Sequence, residues 1–460
     1  MDYPITAFGA KTEPGYDNRL NIQAAIDRCA AEGGGRVVVP RGVFLSGEIA
    51  LKSHVTLHLD EGSTLKASPH GSAYPSAFTD GGHRGFVTAR GCEHIRIGGS
   101  GTIDGDCRAW TSREDPYYLY KKEGARRPFL IMPIGCRHVV IEDITIRNGP
   151  AWTVVPRGCD DVLIQGIHIY NDLKMPNSDA IDIVSCRDVR ILGCHIEAGD
   201  DCIVLKTYKE STEYDNPACE GVVVSSCTLV STSSALVIGC EVHGAIRNVV
   251  FNNCVIRNSN RGLSINLSKE CDVENVIFSD MVIQTRLFEE RWWGHGEAVK
   301  ISAVPWLEQD AIGRVRNITL RNLLCDAENG ILVYGWRPGL IEDVLFDNVR
   351  LTIDRHSKWP GGELDLRPTP QDGESYKAGI VPHPLSGFMI KNAARVTLRN
   401  CQVTYSDRAR QSGEFRHAVA WQDAPELAIE GFRGESASPA HAAIAETIIR
   451  KPLDAVEGVQ

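Results

Sequence analysis

Asp179, Asp200 and Asp201 are the residues of this chain whose type and spacing point most directly to chemistry. They occur in two short phrases, Asn177-Ser178-Asp179-Ala180-Ile181-Asp182 and Gly199-Asp200-Asp201-Cys202-Ile203. One aspartate in a turn is ordinarily a solvated side chain. Three in neighbouring turns repel one another and raise each other's pKa if the fold stacks them. Packing supplies no reason for such a cluster, whereas acid/base hydrolysis of a glycosidic bond needs one.

The elements that must position them form a repeat. An alternating apolar phrase begins at Val139, Val162, Val189, Val222, Val249, Val276, Ile318, Val344 and Val396, with earlier copies near Val55 and Ile95. Alternation over so few residues signals short strands rather than helices. Strands recurring at this interval predict an all-β solenoid, a parallel β-helix filled by stacked Val, Ile and Leu. Asn148, Asn171, Asn253, Asn258, Asn348 and Asn400 fall near its turns, where asparagine tolerates a left-handed backbone. Aligning the turns on Ile181, Ile203, Leu236 and Leu263 puts Asp179 under Asp201, about 4.8 Å apart in the strand-to-strand direction. The same column then carries Ser234 and Arg261.

The whole chain, 1–460, is expected to be one β-helix domain. A helix over about 17–31, started by Asp17 or Asn18, with Ala24, Ala25, Ile26 and Ala30 on its apolar face and Gly33-Gly34-Gly35 at its end, caps the solenoid. Coils run over about 36–405, with loop insertions near 284–312 and 354–386, and about 406–460 caps the other end. Long loops in a solenoid shape binding sites. The first insertion carries Trp292-Trp293-Gly294-His295-Gly296-Glu297, where aromatics stack on sugar faces and His295 or Glu297 bonds hydroxyls. Lys300 follows on a resumed strand. Lys206 lies on the strand after the Asp pair and is placed to tune it, while Asn177, Ser234, His243 and Arg261 complete the candidate substrate contacts. For each of these the plain alternative is a packed or solvated structural residue.

Composition bounds the rest. A net charge of −10 over 460 residues argues against a nucleic-acid partner. No apolar run is long enough for a membrane span. The 15 cysteines include no CxxC pair, so they are expected to be buried small hydrophobes in a reducing compartment, and neither a cofactor nor a resident metal is expected. Met1-Asp2-Tyr3-Pro4 leads straight into fold-like sequence, which predicts a cytoplasmic location, or a secreted one if a leader was trimmed.

The phrases Asn-Ser-Asp-Ala-Ile-Asp and Gly-Asp-Asp-Cys resemble the Asn-Thr-Asp and Gly-Asp-Asp motifs of glycoside hydrolase family 28, the polygalacturonase-like group. The resemblance runs from Ile5-Thr6-Ala7-Phe8-Gly9-Ala10 to the coil near Tyr405. It implies a right-handed β-helix and an inverting mechanism in which Asp200 is the general acid and Asp179 and Asp201 hold and deprotonate water. A spacing near 5 Å would by itself favour retention; the resemblance implies inversion. Ser234 stands where the family has a histidine, and Ser264-Ile265-Asn266 stands for its Arg-Ile-Lys, whose cations are associated with the substrate carboxylate. The expectation is therefore a glycoside hydrolase acting on a pectic or related saccharide, exo-acting on oligosaccharides, with plain polygalacturonate open to question. A polysaccharide lyase or uronate epimerase, and a non-catalytic glycan-binding β-helix, are the alternatives. Oligomeric state is not predicted.

Overall fold

The computed structural model describes residues 1–76, 82–208, 214, 218–370 and 378–452. The chain divides into two compact units, residues 1–228 and 229–460. Each is built from right-handed parallel β-helix coils.

In the first unit the repeat positions pair in register. Ile95 lies level with Val139, Val139 with Val162, Val162 with Val189 and Val189 with Val222. A second strand per coil stacks Ile103, Ile146, Ile169 and Ile196. All are buried: one-residue slippage would turn each apolar row outward, so the alternation sets the register. The helix Arg19–Ala31 buries Ile22, Ala25, Ile26 and Cys29. Ala24, expected on that face, is exposed, because the 3.6-residue period turns it away from the row of Ile22, Ala25, Ile26 and Cys29. Asn18 occupies the N-cap position, but its side chain bonds Lys11 and Leu45 backbone groups instead of the helix.

In the second unit Val249, Val276, Ile318, Val344 and Val396 form the corresponding row. The insertion expected over 284–312 contains a regular coil strand, Val299–Ala303, which pairs with Arg261–Leu267 and Ile331–Gly335. The second insertion holds an antiparallel pair, Glu363–Asp365 with Ile380–Pro382. The ladder also runs past 405, where loss of the repeat was expected: Phe388 pairs with Val419 and Val419 with Ile444. These last strands are short, and Glu430, Arg433 and Ile444 are exposed, so the apolar alternation that marks earlier coils is missing.

Asn148, Asn253, Asn258, Asn348 and Asn400 take positive φ as expected. Asn171 does not. It is buried, with its amide engaged by Gly149 N–H, Thr153 Oγ1 and Ser178 O. All 15 cysteines are free thiols, most of them buried.

Candidate active site

The strands Ile181–Val184 and Ile203–Thr207 of the first unit carry the aspartates. Ile181 pairs with Ile203 and Ile183 with Leu205. The ladder continues outward through the Ala180 N–H, which donates to Asp201 O at 2.9 Å. Asp179 is therefore level with Asp201, as the alignment of turns requires. Oxygens of Asp179, Asp200 and Asp201 lie within 4.8 Å of one another.

The turns that aim them have local causes. Asn177 has φ +56°, a left-handed conformation asparagine tolerates, and this points its N–H at Asp200 Oδ2, 3.0 Å away. Gly199 precedes the pair because a Cβ there would sit 2.5 Å from the carbonyls of Asp172 and Met175. Only glycine lets that turn approach so closely.

Asp179 is buried and the other two are partly exposed. Burial first, then the neighbouring charge of Asp200, raises the Asp179 carboxyl well above the usual range, against the pull of Lys206. Lys206 is itself buried. Its Nζ lies 3.5 Å from Asp179, 3.1 Å from Asp182 and 3.8 Å from the centre of the Trp152 ring. Asp182 is fully buried, so it acts as part of this interior ion group rather than as a fourth exposed carboxylate.

The other predicted site residues fall in the second unit. Ser234 pairs in register with Arg261. Arg261 and Glu297 form a two-bond fork, with both distances 3.1 Å. Arg261 also donates to Asp365 at 2.9 Å, and Arg367 clasps Asp365 from the other side. Lys300 donates to the Arg367 carbonyl at 2.7 Å. Arg261, Glu297 and Lys300 are essentially without solvent exposure. Expected as substrate contacts, they form a closed interior cluster whose charges are engaged with one another.

Burial opposes the Asp365 charge, yet Arg367, Arg261 and Lys300 hold that carboxyl well below its ordinary range. Lys300 is pushed down to about 8, chiefly by burial and then by Arg261. The Trp292-to-Glu297 loop folds onto this cluster. The Trp292 carbonyl accepts from Arg367, the His295 N–H donates to Glu297, and Trp292 is buried. Of the aromatic pair only Trp293 keeps partial exposure. His295 is buried, and desolvation holds its imidazole toward the neutral form. His243 pairs with Glu270 at 3.1 Å on a partly exposed edge. Ser264, at the first cation position of the resemblance, pairs in register with Lys300.

Sequence reasoning missed a group of cations and rings in the first unit. Arg127 and Lys121 both donate to Asn177 Oδ1, at 3.1 and 3.2 Å. His83, Phe129, Trp152 and Tyr208 stack in a row at centroid spacings of 4.7, 5.1 and 6.4 Å. The basic pair Arg126-Arg127 and the wide step between the repeats at Ile95 and Val139 were the available signals.

Fold and site together define a parallel β-helix with a three-carboxylate centre on adjacent coils. Residues 29–286, more than half of the chain, match Glycosyl hydrolases family 28, and the chain belongs to that family. A probable polygalacturonase of Vitis vinifera is 32% identical over 238 residues, 48% of this chain and 48% of that protein. An exopolygalacturonase from Thermotoga maritima superposes with a TM-score of 0.67 at 25% identity, over 77% of this chain and 88% of that one. A family 28 exopolygalacturonase of Yersinia enterocolitica shares the fold, with a TM-score of 0.66 at 18% identity over 94% of this chain and 78% of its own. The matched segment spans about half the length of the curated relatives.

Proposed function

We propose that this chain hydrolyses a glycosidic bond of a pectin-type saccharide with Asp179, Asp200 and Asp201. The observation that carries the reading is the approach of three carboxylates within 4.8 Å in a family 28 chain. Asp200 donates its proton to the leaving oxygen. Asp179 and Asp201, level on adjacent strands, hold a water and take its proton as it attacks the anomeric carbon. The reaction inverts that carbon. Similarity to the exopolygalacturonase of Thermotoga maritima supports exo action.

Asp200→Asn is expected to abolish hydrolysis of pectic oligosaccharides while leaving the circular dichroism spectrum intact. Full activity in that variant would overturn the assignment. NMR of the first-formed product reads the anomer, and a retained configuration would remove the water-activating role from Asp179 and Asp201. Release of short products from one chain end, rather than a ladder of sizes, is the expected exo signature.

One observation favours a second distribution of roles: the raised carboxyl is Asp179, and a raised pKa suits a general acid. An aryl glycoside with a good leaving group separates the two. The variant lacking the true acid keeps turnover on that substrate, and the variant lacking the base does not.

A further inference from the structure

Beside the aspartates of the first unit lies a cavity of about 380 Å³ lined by His83, Arg126, Arg127, Trp152 and Asn177, among others. Its size is within the range of small-ligand sites, about 300–1,000 Å³. Its chemistry is one-sided. No acidic residue is among its described lining. Among the described residues, neither Arg127 nor Lys121 meets a carboxylate at ion-pair distance; both turn to the neutral Asn177 amide oxygen. Arg127 Nη1 is taken by the carbonyls of Pro150 and Pro176 and Nη2 by Asn177, which fixes the plane of the guanidinium; among the described residues its Nε–H and second Nη2 hydrogen meet no other acceptor.

Arg127 is partly buried, while Lys121 and Arg126 are exposed at its side. Arg127 is pushed down to about 10 by burial, with Asp179 and Asp200 only partly opposing the shift. Lys121 is lowered by partial desolvation and by the charge of Arg127, with Asp200 opposing the shift. Two cations held so close, with a third at Arg126, favour an arriving anion. The cavity also presents a flat face. Trp152 stacks on Phe129, which stacks on His83, and His83 is lowered to about 4, first by burial and then by Arg157 and Lys206. A neutral imidazole and an indole suit a sugar ring and its hydroxyls.

Two contacts tie the cavity to the reacting centre. Asn177 lines it and donates its N–H to Asp200. Trp152 lines it and lies beneath Lys206, the partner of Asp179.

We propose that Arg126 and Arg127, which line the cavity, with Lys121 beside them on Asn177 and His83 at the end of the aromatic row, form the subsite for an acidic sugar unit adjoining the bond that is cleaved. They would supply the anion recognition that Ser264 and Asn266 cannot, since neither carries a positive charge. Its place next to the cleaved bond rests on the hydrolase reading; its preference for an anion rests on the cavity itself.

The test measures binding by calorimetry in the Asp200→Asn background. The probes are a galacturonate trisaccharide and its carboxyl-reduced neutral counterpart, with and without Lys121→Gln plus Arg126→Gln. Both changes lie on an exposed segment and spare Arg127, so unchanged neutral-sugar binding also reports an intact fold. The expected result is at least tenfold weaker binding of the acidic trisaccharide with no change for the neutral one. Equal weakening of both, or no weakening, overturns the subsite. Turnover by the protein with Asp200 intact separates this from the hydrolase reading. Hydrolysis indifferent to the two cations overturns the subsite and keeps the hydrolase. Cation-dependent binding without hydrolysis of either sugar keeps an anion site and overturns its place beside a cleaved bond.

Discussion

Replacing Lys206 by methionine keeps an unbranched side chain beside Trp152 and removes the charge that faces two buried carboxylates. The ammonium lies 3.5 Å from Asp179 and 3.1 Å from Asp182. At an effective dielectric of about 20 each contact is worth about 5 kcal/mol of attraction, and removing one partner of a buried pair costs about 3–5 kcal/mol in practice. Lys206 also pulls the Asp179 pKa down against burial and Asp200, so its loss moves that carboxyl further up. About 3 kcal/mol of lost attraction corresponds to about 2 pKa units.

If Asp179 must be ionised to activate water, the acid limb of kcat/KM against pH shifts upward by about that amount in Lys206→Met. The same variant should lose about 3–5 kcal/mol in urea unfolding at pH 7, and less at pH 4, where protonating Asp179 removes part of the unpaired charge. Substrate turnover across pH 4–8 and unfolding at the two ends provide both readings. An acid limb that stays in place or moves downward would refute the coupling. A destabilisation equal at both pH values would show that packing, not charge, is what Lys206 provides.

Asp179 has a raised pKa in the folded chain, so the folded state holds a proton that the unfolded state releases. Its contribution therefore falls as pH rises above about 4, by about 1.4 kcal/mol per pH unit until Asp179 itself titrates. Asp179→Asn should remove that fall, and urea unfolding in which the variant loses ground to the native protein between pH 4 and 7 would contradict it. His83 behaves in the opposite sense: with its pKa depressed to about 4, its contribution is complete above about 6.5 and disappears as pH drops toward 4. His83→Phe should flatten up to about 3 kcal/mol of acid destabilisation across that window, and an unchanged acid slope in thermal melts would count against it. Arg261→Met leaves Glu297 and Asp365 buried with less countercharge, and a loss of about 3–5 kcal/mol in denaturant unfolding is expected; a stable variant would mean that Arg367 alone satisfies Asp365.

The level placement of Asp179 and Asp201 is legible in the sequence because the interior of a β-helix coil is a one-dimensional code. Apolar side chains at every second position fix which face is buried, and Ile181 and Ile203 then fix the vertical alignment of everything beside them. The helix at the start was legible for the same reason, although its buried stripe includes Cys29 in place of Ala24. The cation pocket was not legible in this way. Its residues come from a segment without the repeat's alternation, so no periodicity says that Arg127 reaches Asn177. The Trp292-to-Glu297 loop shows the same limit. Composition suggests a sugar platform, whereas the fold turns most of it inward onto Arg261 and Arg367.

The sequence by itself determined the coil register, and with it the meeting of three aspartates, because period-two burial tolerates no slip. The tertiary structure decided the charge environment of that meeting. Arg261 finds Asp365 across 104 residues, and Lys121 finds Asn177 across 56. Contacts between segments so far apart depend on where loops close, and burial, which sets the Asp179 and His83 protonation, is a property of the packed interior rather than of any local phrase.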